Sequence, residues 1–535
     1  MSPSLVKPLH PLSLREQIAD QAAQWLADHL SRGANLWSDS RRVMPGDGFL
    51  ARSGRQGTAQ EFATQAIHAG ASAVVIDGGD EVDAIESIAA AVPMIRVPKL
   101  ASRLGMIASA FYGRPSMSMQ IIAVTGTNGK STVTTALAHA LARSGIATAA
   151  VGTLGVGVFP AGCDASCMPI WDTESTAGLT TPDPVDLQRV LYHLRTRGVS
   201  AVALEASSIG LMQGRLQGCA IKVAAFTNLS HDHLDIHGSM QAYAQAKALL
   251  FAAPSLGAMV VNTDDDYANI MWQAHESNVD RIAVGQHAPR NAHVHLCLKQ
   301  ATPSLSGWDM ILSGTGEAVD LSGPVHLPVV GRHNVDNAMI VAGCLLAMSI
   351  DSSVVRERLS EFQLPPGRLQ MIVRSKGPWA CVDYAHSPDA LQRVLEALRP
   401  LVRERGGELI CIFGCGGDRD AAKRPAMGRI AVEYADRVVM TSDNPRHESA
   451  EDILDQIASG VPEGERHRVM RQSDRALAIA QAIGRAQPHD VVVIAGKGHE
   501  QTQTIGSEHL LFSDADHALR AIEGWIAARA GVVHA

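Results

Sequence analysis

Gly126-Thr127-Asn128-Gly129-Lys130-Ser131-Thr132 joins a glycine-bearing turn to a lysine and two hydroxyls. The apolar run before it, Gln120 to Thr125, reads as a buried strand, and Val133 to Ser144 after it reads as a helix. Such a loop is a polyphosphate cradle. Its amides and the helix N-terminus point at the anion, Lys130 adds a positive charge, and Ser131 can hold Mg²⁺. The spacing departs from the common Walker pattern, because Val124 and not glycine stands five residues before Gly129. A plain Gly/Asn turn capping a helix is the rival reading; the strand before and the Lys-Ser-Thr after argue against it.

Phosphoryl transfer also needs metal ligands and charge neutralisation. Glu205 ends an apolar run, Ala201 to Leu204, and is a candidate Mg²⁺ ligand or simply a polar strand end. Thr227-Asn-Leu-Ser-His-Asp-His-Leu-Asp235 follows another strand and carries two histidines and two aspartates. Magnesium prefers oxygen, so a polar, helix-capping loop is its alternative. Lys247, in the helical stretch Tyr243 to Leu250, reads from its own surroundings as a solvated lysine. Toward the C-terminus four probable strands, Trp379 to Val382, Leu409 to Phe413, Arg437 to Met440 and Val491 to Ile494, each run into a polar loop. The loops are Asp383-Tyr-Ala-His386, Gly414 to Asp420, Asp443-Asn444-Pro445-Arg446 and Gly496-Lys-Gly-His-Glu500. On one sheet edge they would line a single site.

The elements that must position these residues alternate as in α/β proteins, with ligands expected at the carboxyl ends of parallel strands. Short strands (Ala73 to Ile76, Met94 to Val97) and helices (Leu14 to Leu30, Gln60 to Ala69) mix in the first part. Strands at Val223 to Phe226, Ala258 to Val261 and Arg281 to Val284 belong to the middle part. Boundaries fall near Tyr112-Gly-Arg-Pro-Ser116 and at Leu364-Pro-Pro-Gly-Arg368, giving segments 1–116, 117–364 and 365–535. A length of 535 residues suits roughly three or four domains, and 46% apolar with 19% charged residues is ordinary for a globular chain. A net charge of −8 gives no sign of a nucleic-acid binder, so an anionic ligand must meet local positive charge. Neither the N-terminus nor the run Leu249 to Val261, broken by Pro254 and Ser255, predicts a signal peptide or a membrane span. The eight cysteines form no zinc pattern, and a reduced cytoplasmic setting fits them.

Taken in order, Gly-Thr-Asn-Gly-Lys-Ser, Glu205-Ala-Ser-Ser208, Asn228-Leu-Ser-His-Asp-His-Leu-Asp235, Ala246-Lys247, Gly331-Arg-His-Asn-Val-Asp-Asn337 and Pro366-Gly-Arg368 closely resemble the Mur ligases. Asp383 to Asp389 and Asp443 to Arg446 look like the member that adds the third peptide residue. The resemblance implies three α/β domains: an N-terminal uridine-binding domain, a central P-loop ATPase domain and a Rossmann-like C-terminal domain. It implies that ATP phosphorylates the γ-carboxylate of D-glutamate in UDP-MurNAc-L-Ala-D-Glu. The incoming amino group then attacks the acyl phosphate, releasing phosphate. Phosphorylation gives a poor electrophile a leaving group, and Mg²⁺ with Lys130 offsets the repulsion between two anions.

Carried over on the matching positions, the family's pattern puts Gly126 through Thr132 at the ATP phosphates and Asn334 at the adenine. Ser131, Glu205 and His233 are expected at magnesium. Lys247 matches a lysine carbamylated by CO₂ (N6-carboxylysine), a further metal ligand. Arg368 and His386 are expected near the nucleotide once the C-terminal domain closes. Ser38, Ser40, Arg55, Gln56, Gly57, Thr180, Thr181, Ser207, Gln213 and Arg215 match contacts to the UDP-substrate. Arg419, Asp443, Asn444, Pro445, Arg446, Gly496 and Glu500 match contacts to meso-diaminopimelate. Arg446 carries the choice of amino acid, because a guanidinium fork binds the far carboxylate of diaminopimelate bidentately and would repel the terminal ammonium of lysine. The family also implies a monomer.

Departures from the pattern are Ile209 where many relatives carry His, Thr58-Ala59 for Asp-Gly, His333 for Phe, and His447 after the arginine. A lysine-adding ligase, a folylpolyglutamate-synthetase-like ligase, a non-catalytic UDP-sugar-peptide binder and a P-loop kinase are the competing readings. Arg446 opposes the first and the N-terminal segment the second. Retention of Lys130, Glu205 and Lys247 opposes the third, and the Asp-Asn-Pro-Arg loop the fourth.

Overall fold

The computed structural model describes residues 14–530 apart from 55–56, 80–82, 166, 177, 276–278 and 305. The chain divides into two compact units: Met1–Lys299 with Ile311–Gly323 and Asn337–Glu361, and Gln300–Met310 with Pro324–Asp336 and Phe362–Ala535.

The first unit holds two sheets. One is five-stranded, in the order Leu36–Trp37, Gly48–Ala51, Ala73–Asp77, Met94–Val97 and Glu86–Ile88; all its pairs are parallel except the last. Helices Leu14–His29 and Leu104–Phe111 bury apolar side chains such as Ile18, Leu26 and Ile107 against one face, and Ala59–His68 packs on the other. Thr58 caps that last helix with a capping box to Glu61, a structural use for a position where the family pattern has aspartate.

The second sheet places Gln120–Thr125 between Ile221–Phe226 and Ala201–Glu205, all parallel. Thr148–Gly152 lies beyond Ala201–Glu205, and Ala258–Asn262 then Asp280–Val284 lie beyond Ile221–Phe226, still parallel. Antiparallel Gly155–Phe159 and Trp171–Asp172 finish one side. These short, almost wholly buried strands are rich in Ala, Val and Ile because helices cover both faces. Their carboxyl ends bring Thr125, Glu205 and Phe226 to one edge, and each expected strand there is observed within two residues of its expected ends.

The second unit carries a six-stranded sheet in the order Gln370–Ile372, Trp379–Asp383, Val491–Ala495, Leu409–Phe413, Arg437–Met440 and Val469–Arg471, with only the first strand antiparallel. The four strands expected to feed polar loops are neighbours, so those loops leave one edge. A separate hairpin, Thr502–Ile505 with Glu508–Leu511, was not foreseen. Behind the loops, Arg475 and Asp514 form an ion pair with both side chains fully buried. Replacing Arg475 with Met is expected to destabilise this unit by about 3–5 kcal/mol, because Asp514 stays buried without a partner; urea unfolding followed by tryptophan fluorescence checks it.

Candidate active site

The loop after Gln120–Thr125 turns on two glycines with positive φ, Gly126 at 151° and Gly129 at 85°, and the helix Lys130–Arg143 starts directly behind it. A Cβ on Gly126 would come within 1.9 Å of Thr227 Oγ1, and one on Gly129 within 2.2 Å of Asn337 Oδ1. Close approach as well as backbone freedom therefore requires glycine at both. The neighbouring loop is laced to it. Thr127 N donates to Asn228 O (2.8 Å), Asn128 N to Asn228 Oδ1 (3.0 Å), Thr227 Oγ1 to Asn128 O (2.6 Å) and Ser230 N to Thr127 Oγ1 (3.0 Å). Lys130 Nζ folds over the loop onto Gly126 O (2.8 Å) and Thr127 O (2.9 Å), while Ser131 and Thr132 lie buried in the first helical turn. The result is a rigid rim with a cation beside a helix N-terminus, an arrangement suited to phosphate.

Glu205 is 2% exposed at the end of the strand next to this loop. Thr153 holds its carboxylate, N to Oε1 at 3.0 Å and Oγ1 to Oε2 at 3.2 Å, and Thr153 Oγ1 also reaches Thr180 Oγ1 at 3.1 Å. The same edge gathers more of the expected UDP-substrate residues. Thr181 Oγ1 donates to Glu205 O (2.8 Å) and meets Ser207 Oγ (3.0 Å). Arg215 donates to Thr181 O through NH1 (2.6 Å) and to Gln213 Oε1 through Nε (3.0 Å). Farther along, Ser38 Oγ donates to Asp183 Oδ1 (2.8 Å) and Ser40 Oγ to Gln65 Oε1 (2.9 Å). Gly57 bridges Gly54, whereas Arg55 and Gln56 lie outside the described residues.

Lys247 corrects the solvated reading of its local sequence. It is 1% exposed on the helix Met240–Ala248, donates to Gly126 O at 2.9 Å and lies 4.3 Å from the centre of the Tyr243 ring. Burial, then the nearby charge of Lys130, holds its pKa well below the ordinary lysine value, against a smaller opposing pull from Asp232. Tyr243 was not singled out in the sequence. Its hydroxyl reaches Thr127 Oγ1 at 3.3 Å, and its ring meets His237 at 4.7 Å and His233 edge-on at 6.3 Å. His237 Nε2 also contacts Ser208 Oγ at 3.0 Å. His233 has a left-handed backbone (φ 52°), is about half exposed and pairs with Asp232 at 3.4 Å. Among the described residues no three His, Cys, Asp or Glu side chains converge as a ready metal cage. The oxygen donors at hand, Glu205 at the end of its strand and Ser131 in the first turn of the helix behind the loop, fit a hard cation that keeps waters or substrate oxygens.

In the second unit, Arg368 sits 4.9 Å from the Tyr384 ring centre, His386 4.7 Å and His499 5.2 Å, so one aromatic ring organises two expected catalytic residues. Asn334 is 2% exposed and donates to Val330 O at 2.8 Å. Asp443 is buried, and burial raises its pKa against the opposing pull of Arg475 and Lys497. A Cβ on Gly496 would lie 2.5 Å from Asp443 Oδ2. Asn444 Nδ2 donates to Glu500 Oε2 at 2.8 Å. Arg446 adopts a left-handed backbone (φ 51°) fixed by N to Thr504 O (3.1 Å) and by Gly506 N to its own O (2.7 Å). Its NH1 donates to Gly417 O at 2.7 Å, and Gly417 is tight against Pro445 O. Arg419 is exposed on the same loop as Gly417. His447 pairs with Asp418 at 2.8 Å, which occupies that departure from the family pattern.

A glycine loop and helix N-terminus at the edge of a parallel sheet, with Lys130 and buried Lys247 against it, belong to the class of nucleotide-phosphate-binding α/β proteins. A family model for the Mur ligase middle domain matches residues 124–345. Models for the Mur ligase glutamate ligase domain and the Mur ligase family catalytic domain match residues 367–498 and 34–112. The chain belongs to the Mur ligase family.

More particularly, it is similar to UDP-N-acetylmuramoyl-L-alanyl-D-glutamate--2,6-diaminopimelate ligase of Ralstonia nicotianae, 39% identical over 96% of this chain and 98% of that one. The enzyme of that name from Pseudomonas aeruginosa is 40% identical over 96% and 99%. A solved structure of a ligase of the same name, 33% identical, superposes with a TM-score of 0.62 over 92% of this chain and 94% of that one. The MurF ligase of Thermotoga maritima in complex with ADP, at 15% identity and a TM-score of 0.57 over 93% and 98%, shares the fold.

Proposed function

We propose that this chain joins meso-diaminopimelate to the D-glutamate of UDP-MurNAc-L-Ala-D-Glu, with ATP as the activating substrate, in cytoplasmic peptidoglycan precursor synthesis. The observation that carries the choice of amino acid is Arg446, held in a fixed backbone conformation two residues after Asn444, whose amide bonds Glu500. The full-length relatives named for this activity support the same reading. We assign segment 1–116 to the UDP-moiety, 117–364 to ATP and the acyl transfer, and 365–535 to the amino acid, with the protein acting as a monomer.

In this reading the amides of Gly126 through Thr132 and the ammonium of Lys130 hold the ATP phosphates, and Asn334 lies toward the adenine. Ser131, Glu205, His233 and Lys247 would hold Mg²⁺. When bound, the metal withdraws charge from phosphoryl oxygens. Lys247 is suited to carbamate formation: burial favours its neutral amine, the form that attacks CO₂, and the product supplies an anionic oxygen ligand in addition to the Glu205 carboxylate. Thr180, Thr181, Ser207, Gln213 and Arg215 orient the sugar-peptide so that its γ-carboxylate faces the phosphoryl group. Ser38, Ser40 and residues 55–57 receive the uridine end. Arg368 and His386 act on the nucleotide side. Asp443 and Glu500 take the substrate's distal ammonium while Arg446 forks its carboxylate.

Thr153→Val is expected to lower kcat about tenfold and raise the magnesium requirement, because it removes the hydroxyl bond to Glu205 Oε2 and leaves the carboxylate held only by the backbone N–H at Oε1; a magnesium titration under steady-state conditions checks it. ADP release measured with each amino acid in turn tests the whole reading. Release stimulated by diaminopimelate and not by lysine or glutamate is expected. Stimulation by lysine alone, or none by any amino acid, would refute it.

A further inference from the structure

Lys497 has no part in the function proposed above, yet its side chain is fully buried (0% exposed) beside three residues that do. Nζ donates to Asn444 Oδ1 at 2.9 Å and to Glu500 Oε2 at 2.8 Å. Asn444 is thereby fixed in orientation. Its Oδ1 accepts from Lys497 and from Thr504 N (2.9 Å), and its Nδ2 is left to donate to the same Glu500 Oε2 (2.8 Å). Both hydrogen bonds to Glu500 fall on Oε2, so Oε1 accepts none among the described residues, and the side chain keeps 30% exposure.

A second carboxylate, Asp443, stands close enough to be destabilised by Glu500 and relieved by Lys497. The other cation nearby, Arg475, spends its guanidinium on Asp514, Ser442 O and Ala495 O. Burial alone would favour the uncharged acid of Glu500; Lys497 and the Asn444 amide reverse this, with a smaller pull from His499.

We propose that Lys497 is a positioning residue for the incoming amino acid: it locks the Asn444–Glu500 pair so that Glu500 Oε1 is presented to the substrate's ammonium. This rests on the assignment of the amino-acid site to this loop cluster. Without Lys497, buried Asp443 and part-exposed Glu500 lose the cation they share, Arg475 being committed to Asp514 and two backbone carbonyls, and Asn444 Oδ1 loses one of the two donors that orient it.

The test is steady-state kinetics of the full-length enzyme carrying Lys497→Met, with Glu500→Gln and the double variant completing a cycle. The KM for diaminopimelate is expected to rise about tenfold or more, as for loss of a charge-assisted pair, with the KM for ATP and for the UDP-dipeptide unchanged. In the Glu500→Gln background the same replacement is expected to add little, since its partner is gone. Lys497→Gln, which keeps a donor without charge, is expected to fall between wild type and Lys497→Met. An unaltered KM for diaminopimelate in a folded Lys497→Met protein, or an equal loss for all three substrates, would overturn the proposal. So would full additivity with Glu500→Gln. If the wild type itself ignores diaminopimelate, the functional reading fails and takes this inference with it. A responsive wild type beside an unaffected Lys497→Met removes this inference alone.

Discussion

Replacing Arg446 with alanine is expected to reduce kcat/KM for diaminopimelate by about a hundredfold or more, the scale of removing one partner from a desolvated, hydrogen-bonded charge pair. The backbone at this position is left-handed and tied on both sides, through Thr504 O and Gly506 N, so the side chain leaves the loop in one direction. One terminal nitrogen is committed to Gly417 O. That bond orients the plane of the guanidinium and leaves its remaining donors for a carboxylate. Lysine at 446 would keep the charge but lose the planar fork, so Arg446→Lys should recover only part of the loss. KM for the UDP-dipeptide should not change in either variant. An Arg446→Ala enzyme with wild-type kcat/KM for diaminopimelate would remove the specificity argument.

Lys247→Ala should abolish ligation, with partial rescue by short carboxylates that diffuse into the vacated space. The lysine is buried, leans on the Tyr243 ring and touches the phosphate loop at Gly126 O. An ammonium there is disfavoured by lost hydration and by Lys130, so the amine is neutral at a lower pH than a surface lysine would be. A neutral amine is nucleophilic toward CO₂, and the carbamate would turn a repelled cation into an anion facing Lys130. Rescue by acetate or formate separates a missing carboxylate from a missing packing group, because only the former is restored. Full activity of Lys247→Ala would sink the carbamate assignment.

Much of the fold was legible because buried parallel strands are short apolar runs that stop at polar loops. Gln120–Thr125, Ala201–Glu205, Leu409–Phe413 and Val491–Ala495 all follow that rule. The phosphate loop could be read from residue types alone, since glycine, lysine and hydroxyl at that spacing have few other uses. Lys247 could not: its meaning comes from the strand-end loops folded around it, and only the family resemblance pointed to it. Thr153 and Tyr243 carry no local signal, because a threonine in a turn and a tyrosine in a helix are ordinary. What matters is that Thr153 meets Glu205 across 52 residues and Tyr243 meets Thr127 across 116. Lys497 lies within the Gly496–Glu500 loop, yet a lysine between two glycines carries no sequence sign of its full burial.

The most direct test of the central claim is a competition. Purified enzyme is given ATP, magnesium, UDP-MurNAc-L-Ala-D-Glu and equal concentrations of meso-diaminopimelate and L-lysine, and the UDP-linked product is identified by mass spectrometry. A product carrying diaminopimelate on the D-glutamate, formed with one ADP per bond, is predicted. A lysine-bearing product, or ATP hydrolysis without a new amide, would contradict it.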